Sequence, residues 1–124
     1  MPHLVLEYSA NVPDDPDPDR VLLRLHEALT TSGPFDLANI KSRVVRHDSF
    51  RVAEGAPGRA FVHLTVSVLA GREAAVLRET GESLVTVLRE SFPAAAAERS
   101  CDFTVELREM RKDLYFKSGA GPTT

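Results

Sequence analysis

The sequence predicts an α+β sandwich, a four-stranded sheet with two helices packed on one face. Three observations carry that prediction. Short runs of apolar or alternating residues occur near Leu4–Tyr8, Ile40–Val52, Phe61–Leu69 and Phe103–Leu107, the signature of strands. Two stretches with apolar residues at helical spacing fall between them, one in each half. The order strand, helix, strand therefore occurs twice, at a spacing of about 60 residues, which reads as an internal duplication. The pseudo-repeats run from about 2–52 and 60–110, in one domain over 1–117 with a C-terminal tail at 118–124.

The elements follow in order. Leu4 to Tyr8 is mostly apolar and starts almost at once, and Ser9-Ala10-Asn11-Val12-Pro13 breaks the pattern. Asp17 before Pro18 reads as a helix N-cap followed by proline at the first helical position. Val21, Leu22, Leu25 and Leu29 then form an apolar stripe that Gly33 and Pro34 terminate. Ile40 to Val52 is the second strand, parallel to the first because a helix separates them. A loop of breakers, Ala53-Glu54-Gly55-Ala56-Pro57-Gly58, leads to the third strand, with Val62, Leu64, Val66 and Val68 on one face and Phe61, His63, Thr65 and Ser67 on the other. Ala70-Gly71-Arg72 turns into a second helix whose buried stripe is Val76, Leu77, Leu84, Val85, Leu88 and Phe92. Ala94 to Ala97 is a small-residue connection, and Phe103-Thr104-Val105-Glu106-Leu107 alternates as the last strand. With helices on one side only, the half-polar sheet face needs another cover, and oligomerisation supplies the simplest one.

Composition narrows the function. A chain of 124 residues with 43% hydrophobic content can bury a core without metal or disulfide. A net charge of -3 with scattered lysines and arginines gives no basic footprint for nucleic acid. Cys101 is the single cysteine, and neither a leader pattern nor a long apolar run is present, so the reading is a cytoplasmic protein without membrane contact. His3, His26, His47 and His63 lack metal-ligand spacing, and no Walker, dinucleotide or nucleophile-elbow motif occurs. Cys101 has only Arg99 as a cation close in sequence and reads as a packed thiol. His63 reads as a hydrogen-bonded interface histidine before it reads as a catalyst.

What remains is Pro2, with arginines at element ends. Initiator methionine is trimmed when proline follows, which would leave Pro2 with a free secondary amine at the start of an ordered strand. An internal proline has an amide nitrogen with no such basicity, and a terminus is ordered only when a sheet ties it down. Arg72 sits where a strand hands over to a helix and Arg43 lies in the second strand; a guanidinium grips a carboxylate in two parallel hydrogen bonds. Taken singly, each arginine reads as a surface charge or an ion pair before it reads as a ligand group.

The start Pro2-His3-Leu4-Val5-Leu6-Glu7-Tyr8-Ser9-Ala10-Asn11, then Ile40-Lys41-Ser42-Arg43-Val44, Ala60-Phe61-Val62-His63-Leu64 and Ala70-Gly71-Arg72 resemble the 5-carboxymethyl-2-hydroxymuconate isomerases of the tautomerase superfamily, from Met1 to about Lys117. The resemblance implies a tautomerase-like duplicated βαβ subunit, a homotrimer, and catalysis by Pro2 without metal or organic cofactor. Smaller tautomerases carry a Gly-Arg after the first strand and an arginine in the second. Here Gly71-Arg72 stands in the second half and Arg43 in the first, so one set remains per chain. Lys41 stands where some relatives carry another arginine, keeping the charge and losing the fork. The implied substrate is a dicarboxylate or tricarboxylate enol of the 2-hydroxymuconate type, isomerised to its conjugated 2-oxo-3-ene form in aromatic-acid (homoprotocatechuate) degradation. Pro2 would be the base, and Arg43, Arg72 and Lys41 the substrate-binding residues. Another tautomerase-fold activity (a phenylpyruvate-type tautomerase, hydratase or dehalogenase) or a non-catalytic oligomer stays open at this level, since fold does not fix chemistry.

Overall fold

The computed structural model describes residues 1–98 and 100–119. Arg99, the cation read beside Cys101, lies outside them, as do residues 120–124, most of the expected tail. The strands are β1 (His3–Ser9), β2 (Lys41–His47), β3 (Ala60–Leu69) and β4 (Cys101–Met110), with helices α1 (Pro18–Ser32), α2 (Ala74–Ser91) and α3 (Pro93–Ala97). They form one four-stranded mixed sheet in the order β2-β1-β3-β4. β1 runs parallel to β2 across α1, and β3 parallel to β4 across α2, while β1 and β3 meet antiparallel at the centre. The parallel pairs follow from the helical crossovers, which carry the chain back to the same end before the next strand starts.

Period two decides which face is buried. Leu4, Leu6 and Tyr8 of β1 and Val62, Leu64, Val66 and Val68 of β3 point into the core, where they meet Val21, Leu25 and Leu29 of α1 and Leu84 and Leu88 of α2. Phe92, just past α2, is fully buried and tilts against Tyr8 with ring centroids 5.5 Å apart. The opposite face carries His3, Val5 and Glu7, then Lys41, Arg43 and Val45, with His63, Thr65, Glu106 and Arg108 in register beside them. No helix of the described residues is long and apolar enough to cross a membrane.

Several details differ from the sequence expectation. β2 stops at His47, not Val52, because Asp48-Ser49 begin the turn into the glycine-rich loop. β4 is longer than its alternating core and runs from Cys101 to Met110. Thr80 takes a buried place on α2 with its hydroxyl donating to the Val76 carbonyl at 2.9 Å, whereas Val76, Leu77 and Val85 are only half-buried. Asp17 holds the N-cap position of α1, but its side chain makes no capping bond. The small-residue connection forms the short helix α3, and the Asp14 carboxylate accepts the Ala94 and Ala95 amides at 2.8 and 2.9 Å. The loop of acids before α1 thus closes an orphaned helix end far along the chain.

Leu64 is fully buried at the centre of the sheet. Leu64→Ala is expected to cost about 2–5 kcal/mol through lost burial and the cavity left behind. Urea unfolding should show a lower midpoint at an unchanged slope.

Candidate functional site

The site grows from the first residues of the chain. β1 is hydrogen-bonded on both edges, and the register extends one step beyond it, since the Lys41 amide donates to the Pro2 carbonyl at 3.1 Å. Pro2 is therefore buried, and Met1 before it is only 3% exposed. The Met1 ammonium donates to the Asn39 carbonyl at 2.9 Å, and Lys41 Nζ donates to the same oxygen at 3.3 Å. Asn39 is presented by the single turn Leu37–Asn39, which Asp36 caps by accepting the Ala38 amide. Burial pushes the terminal amine below its ordinary 8.0, and the charges of Lys41, Lys117 and Arg72 push it the same way. Both causes disfavour the protonated form.

Arg72 reaches this end of the sheet from the turn between β3 and α2. Gly71 adopts φ +120°, a conformation that a side chain would strain, and thereby swings the next residue back over the sheet. The Arg72 guanidinium lies 4.4 Å from the centroid of the Phe35 ring and donates to the Leu69 carbonyl at 3.3 Å. Such stacking adds about 0.5–1 kcal/mol and holds the fork in plane. Phe35 is seated in turn against the bare backbone of Gly33, where a Cβ would come within 2.8 Å of the ring. Arg72 Nε is buried and has no hydrogen-bond partner among the described residues.

His3 adjoins Pro2 on the open sheet face. Its Nε2 lies 3.0 Å from the Tyr115 hydroxyl, with the two rings edge to face, and its Nδ1 is buried without a partner among the described residues. Burial lowers its pKa from the ordinary 6.5, and Arg43, the terminal amine and Lys41 lower it further. The ring is thus neutral at pH 7. Arg43 sits opposite Val5, one step along the same face from the pair of His3 and Lys41.

Lys41 and Arg72 accordingly converge on the terminus that Pro2 begins, while Arg43 acts on the neighbouring His3. A buried polar group without a partner costs about 1–3 kcal/mol, so the orphaned Arg72 Nε and His3 Nδ1 mark places where a ligand could supply the missing bond. Sequence reading missed Phe35, Asn39, Lys112, Tyr115 and Lys117, which belong to loops and turns that only the closed sheet brings here. The Pro2-His3 neighbourhood was the one available signal for Tyr115, and it did not identify the partner.

Other candidates lie elsewhere. His63 faces Glu7 across β1 and β3, its Nδ1 2.6 Å from the Thr104 hydroxyl and its Nε2 3.1 Å from that of Thr65, the hydrogen-bonded role expected of it. Burial, with help from Asp102 and Asp14, pushes the Cys101 thiol up to about 11, which leaves it protonated and unreactive. No group of histidines, cysteines and acids among the described residues could hold a metal ion. A surface groove between α2 and β4 is lined by Leu77, Val85, Val105 and Leu107 and includes neither Pro2 nor the cations around it. Met1 itself occupies buried space in front of Pro2.

The mixed four-stranded sheet backed by helices is the fold of the tautomerase superfamily, and the chain is an isomerase of that class. The comparisons agree. A family model described as 5-carboxymethyl-2-hydroxymuconate isomerase matches residues 2–120, and the chain belongs to that family. It is 32% identical over 117 residues to the 5-carboxymethyl-2-hydroxymuconate Delta-isomerase of Escherichia coli, covering 94% of this chain and 93% of that one. The crystal structure of a 5-carboxymethyl-2-hydroxymuconate isomerase from Deinococcus radiodurans R1 superposes with a TM-score of 0.87 at 34% identity, over 97% of this chain and 90% of that one. A fused 4-OT symmetric trimer shares the fold, with a TM-score of 0.70 at 20% identity over 89% and 86% of the two chains.

The charge around His3 gives a direct check. Removing a cation favours the imidazolium, so Arg43→Ala should raise the His3 pKa toward 6.5. Proton NMR titration of the ring reads the shift, and the other three histidines serve as internal controls.

Proposed function

We propose that the chain isomerises 5-carboxymethyl-2-hydroxymuconate, or a closely related 2-hydroxymuconate dienol, to the conjugated 2-oxo-3-ene form in homoprotocatechuate degradation, with Pro2 as the base. The observation that carries this reading is the buried terminus, whose amine is lowered by its surroundings and ringed by Lys41, Arg72 and Lys117. In the chain with Met1 attached, the Pro2 nitrogen is an amide and has no basicity. Removal of Met1 would free a secondary amine in the same surroundings and open the space that Met1 fills.

The chemistry then needs one group that takes a proton and returns it. Neutral Pro2 would accept the proton of the 2-hydroxyl, leaving a dienolate whose charge spreads along the conjugated chain. The protonated amine would then deliver that proton to C5. A secondary amine is normally protonated at pH 7, and the burial and cations that lower the Met1 amine would act on a freed Pro2 amine in the same sense and favour its neutral form. Arg72, fixed by Phe35, and Arg43 would hold the carboxylates and the 2-oxygen, with Lys41 adding a charge without a fork, so that negative charge meets fixed donors as it develops. At the Met1 amine burial is the first cause of the lowering, followed by Lys41, Lys117 and Arg72, and Arg43 is not among the causes.

The assembly belongs to the same proposal. The two strand-helix-strand halves read as copies of one unit, and the half-polar sheet face with Glu7, His63, Thr65 and Glu106 is the surface a homotrimer would cover. The name of the fused 4-OT symmetric trimer supports this reading. Light scattering at micromolar concentration should give three times the mass of the 13.6 kDa chain; a monomer at that concentration would sink the trimer.

Activity on 2-hydroxymuconates, followed by ultraviolet absorbance, tests the base. Pro2→Ala keeps a terminal amine, but a primary and differently placed one, and should lower kcat/KM while leaving assembly intact. Protein retaining Met1, identified by intact mass, should be inactive. For the trimmed enzyme kcat/KM should rise with pH through the lowered amine pKa, because the neutral form is the working one. Lys41→Ala or Arg72→Ala should move that limb to higher pH, since each removes a cation that disfavours the ammonium. Equal rates with and without Met1 would overturn proline catalysis.

A further inference from the structure

Two apolar features stand uncovered among the described residues, and the proposed chemistry uses neither. The first is the groove at the edge of the sheet, where Leu77 and Val85 of α2 stand beside Val105 and Leu107 of β4. Gly81 lets the helix come close there, since a Cβ on it would lie 3.2 Å from the Leu107 side chain. All four apolar side chains are only half-buried, and β4 has no strand on its outer edge. The second feature is a pair of side chains beyond β4. Leu114 is 63% and Phe116 85% exposed, the two highest values among the exposed large hydrophobic residues. Tyr115 between them is extended, with φ -111° and ψ 114°, so its side chain points to one side and those of its neighbours to the other. Tyr115 faces inward, its hydroxyl 3.0 Å from His3 Nε2. The pair therefore faces outward on a segment that is tied down.

We infer that Leu114 and Phe116 of one copy seat in the α2–β4 groove of the next, in a head-to-tail contact that closes the ring. The inference rests on the homotrimer reading above and deepens it by naming the surfaces that join its copies. The pair is held away from its own groove, because Tyr115 carries the segment to the open face of β1, two strands from β4 and on the side opposite α2. A second copy is the occupant that brings pair and groove together. The two are different patches of one chain, and a contact between different patches joins copies in rotation, each giving one pair and receiving one. A closed ring leaves no pair and no groove over, and it also covers the open edge of β4. Charge agrees with the docking. Glu82 and Glu109 outnumber Arg78 at the rim of the groove, while Lys112 comes before Leu114 with Arg111 and Asp113 paired to each other on either side of it. β4 borders the half-polar face proposed as the trimer surface, so the contact continues that surface.

Two measurements on the full chain test the contact. Leu114→Ala/Phe116→Ala changes only exposed positions, so the subunit should keep its circular dichroism spectrum. Light scattering over a dilution series should show the concentration of half-assembly raised about 100-fold or more. Leu114→Met/Phe116→Leu, which keeps the apolar volume, should restore most of the assembly. The second measurement needs no variant. Carbon-13-labelled and unlabelled copies are mixed, and isotope-filtered NMR should show Phe116 ring protons of one copy close to the methyl groups of Leu77, Val85, Val105 or Leu107 of another. A trimer that the double alanine variant leaves intact, or one in which Phe116 meets no groove methyl of a second copy, would overturn the contact while leaving the trimer standing. An assembly of another size that shows those proximities would uphold the contact and reject the threefold count alone. A parent protein that stays monomeric throughout the series would overturn both.

Discussion

The bond from the Lys41 amide to the Pro2 carbonyl is the constraint on which the site depends. A chain terminus is normally the least ordered part of a domain, and the base proposed at Pro2 would need a fixed place, since a misplacement of about 1 Å is costly to a reaction. Placing β1 between β2 and β3 meets this requirement, because both of its edges are paired. The core face of β1 is also deeply buried, with Leu4 and Leu6 essentially inaccessible. Packing that stabilises the sheet therefore fixes the terminus at the same time, and the core and the site share one support.

Electrostatics adds a second layer to that support. Lys41 follows the turn that presents Asn39, Arg72 follows the bend at Gly71, and Arg43 comes one step further along the open face. Lys41 and Arg72 are set by backbone geometry at element ends, and Arg43 by its register within β2. Phe35 then holds the guanidinium of Arg72 through its ring face.

Much of the fold was legible in the sequence, for physical reasons that can be named. Strand β3 alternates strictly from Phe61 to Val68, and only one face of such a strand can be buried, so its register could be read directly. The parallel pairing of β1 with β2 followed from the helix between them. Other features depended on distant contacts. Asp14 capping α3 and Tyr115 meeting His3 join residues that no local pattern connects. Val76, Leu77 and Val85 kept the helical spacing of core residues yet stay half-buried, because α2 lies beside the sheet edge where β4 has no neighbour in the subunit. Pro2 and Arg72 could be singled out from their places in the chain and Lys41 from the family resemblance; Lys117, whose charge also reaches the terminal amine, could not.

The depth at which Met1 sits has a consequence for the order of events during synthesis. An aminopeptidase must grip an extended terminus, and a residue 3% exposed, with its ammonium bound to the Asn39 carbonyl, offers none. The excision proposed for this chain would therefore have to precede the closing of β2 over Pro2. Whether a given molecule carries a base or an inert amide would be decided before the sheet forms, and a molecule that folds untrimmed would stay so for as long as it remains folded.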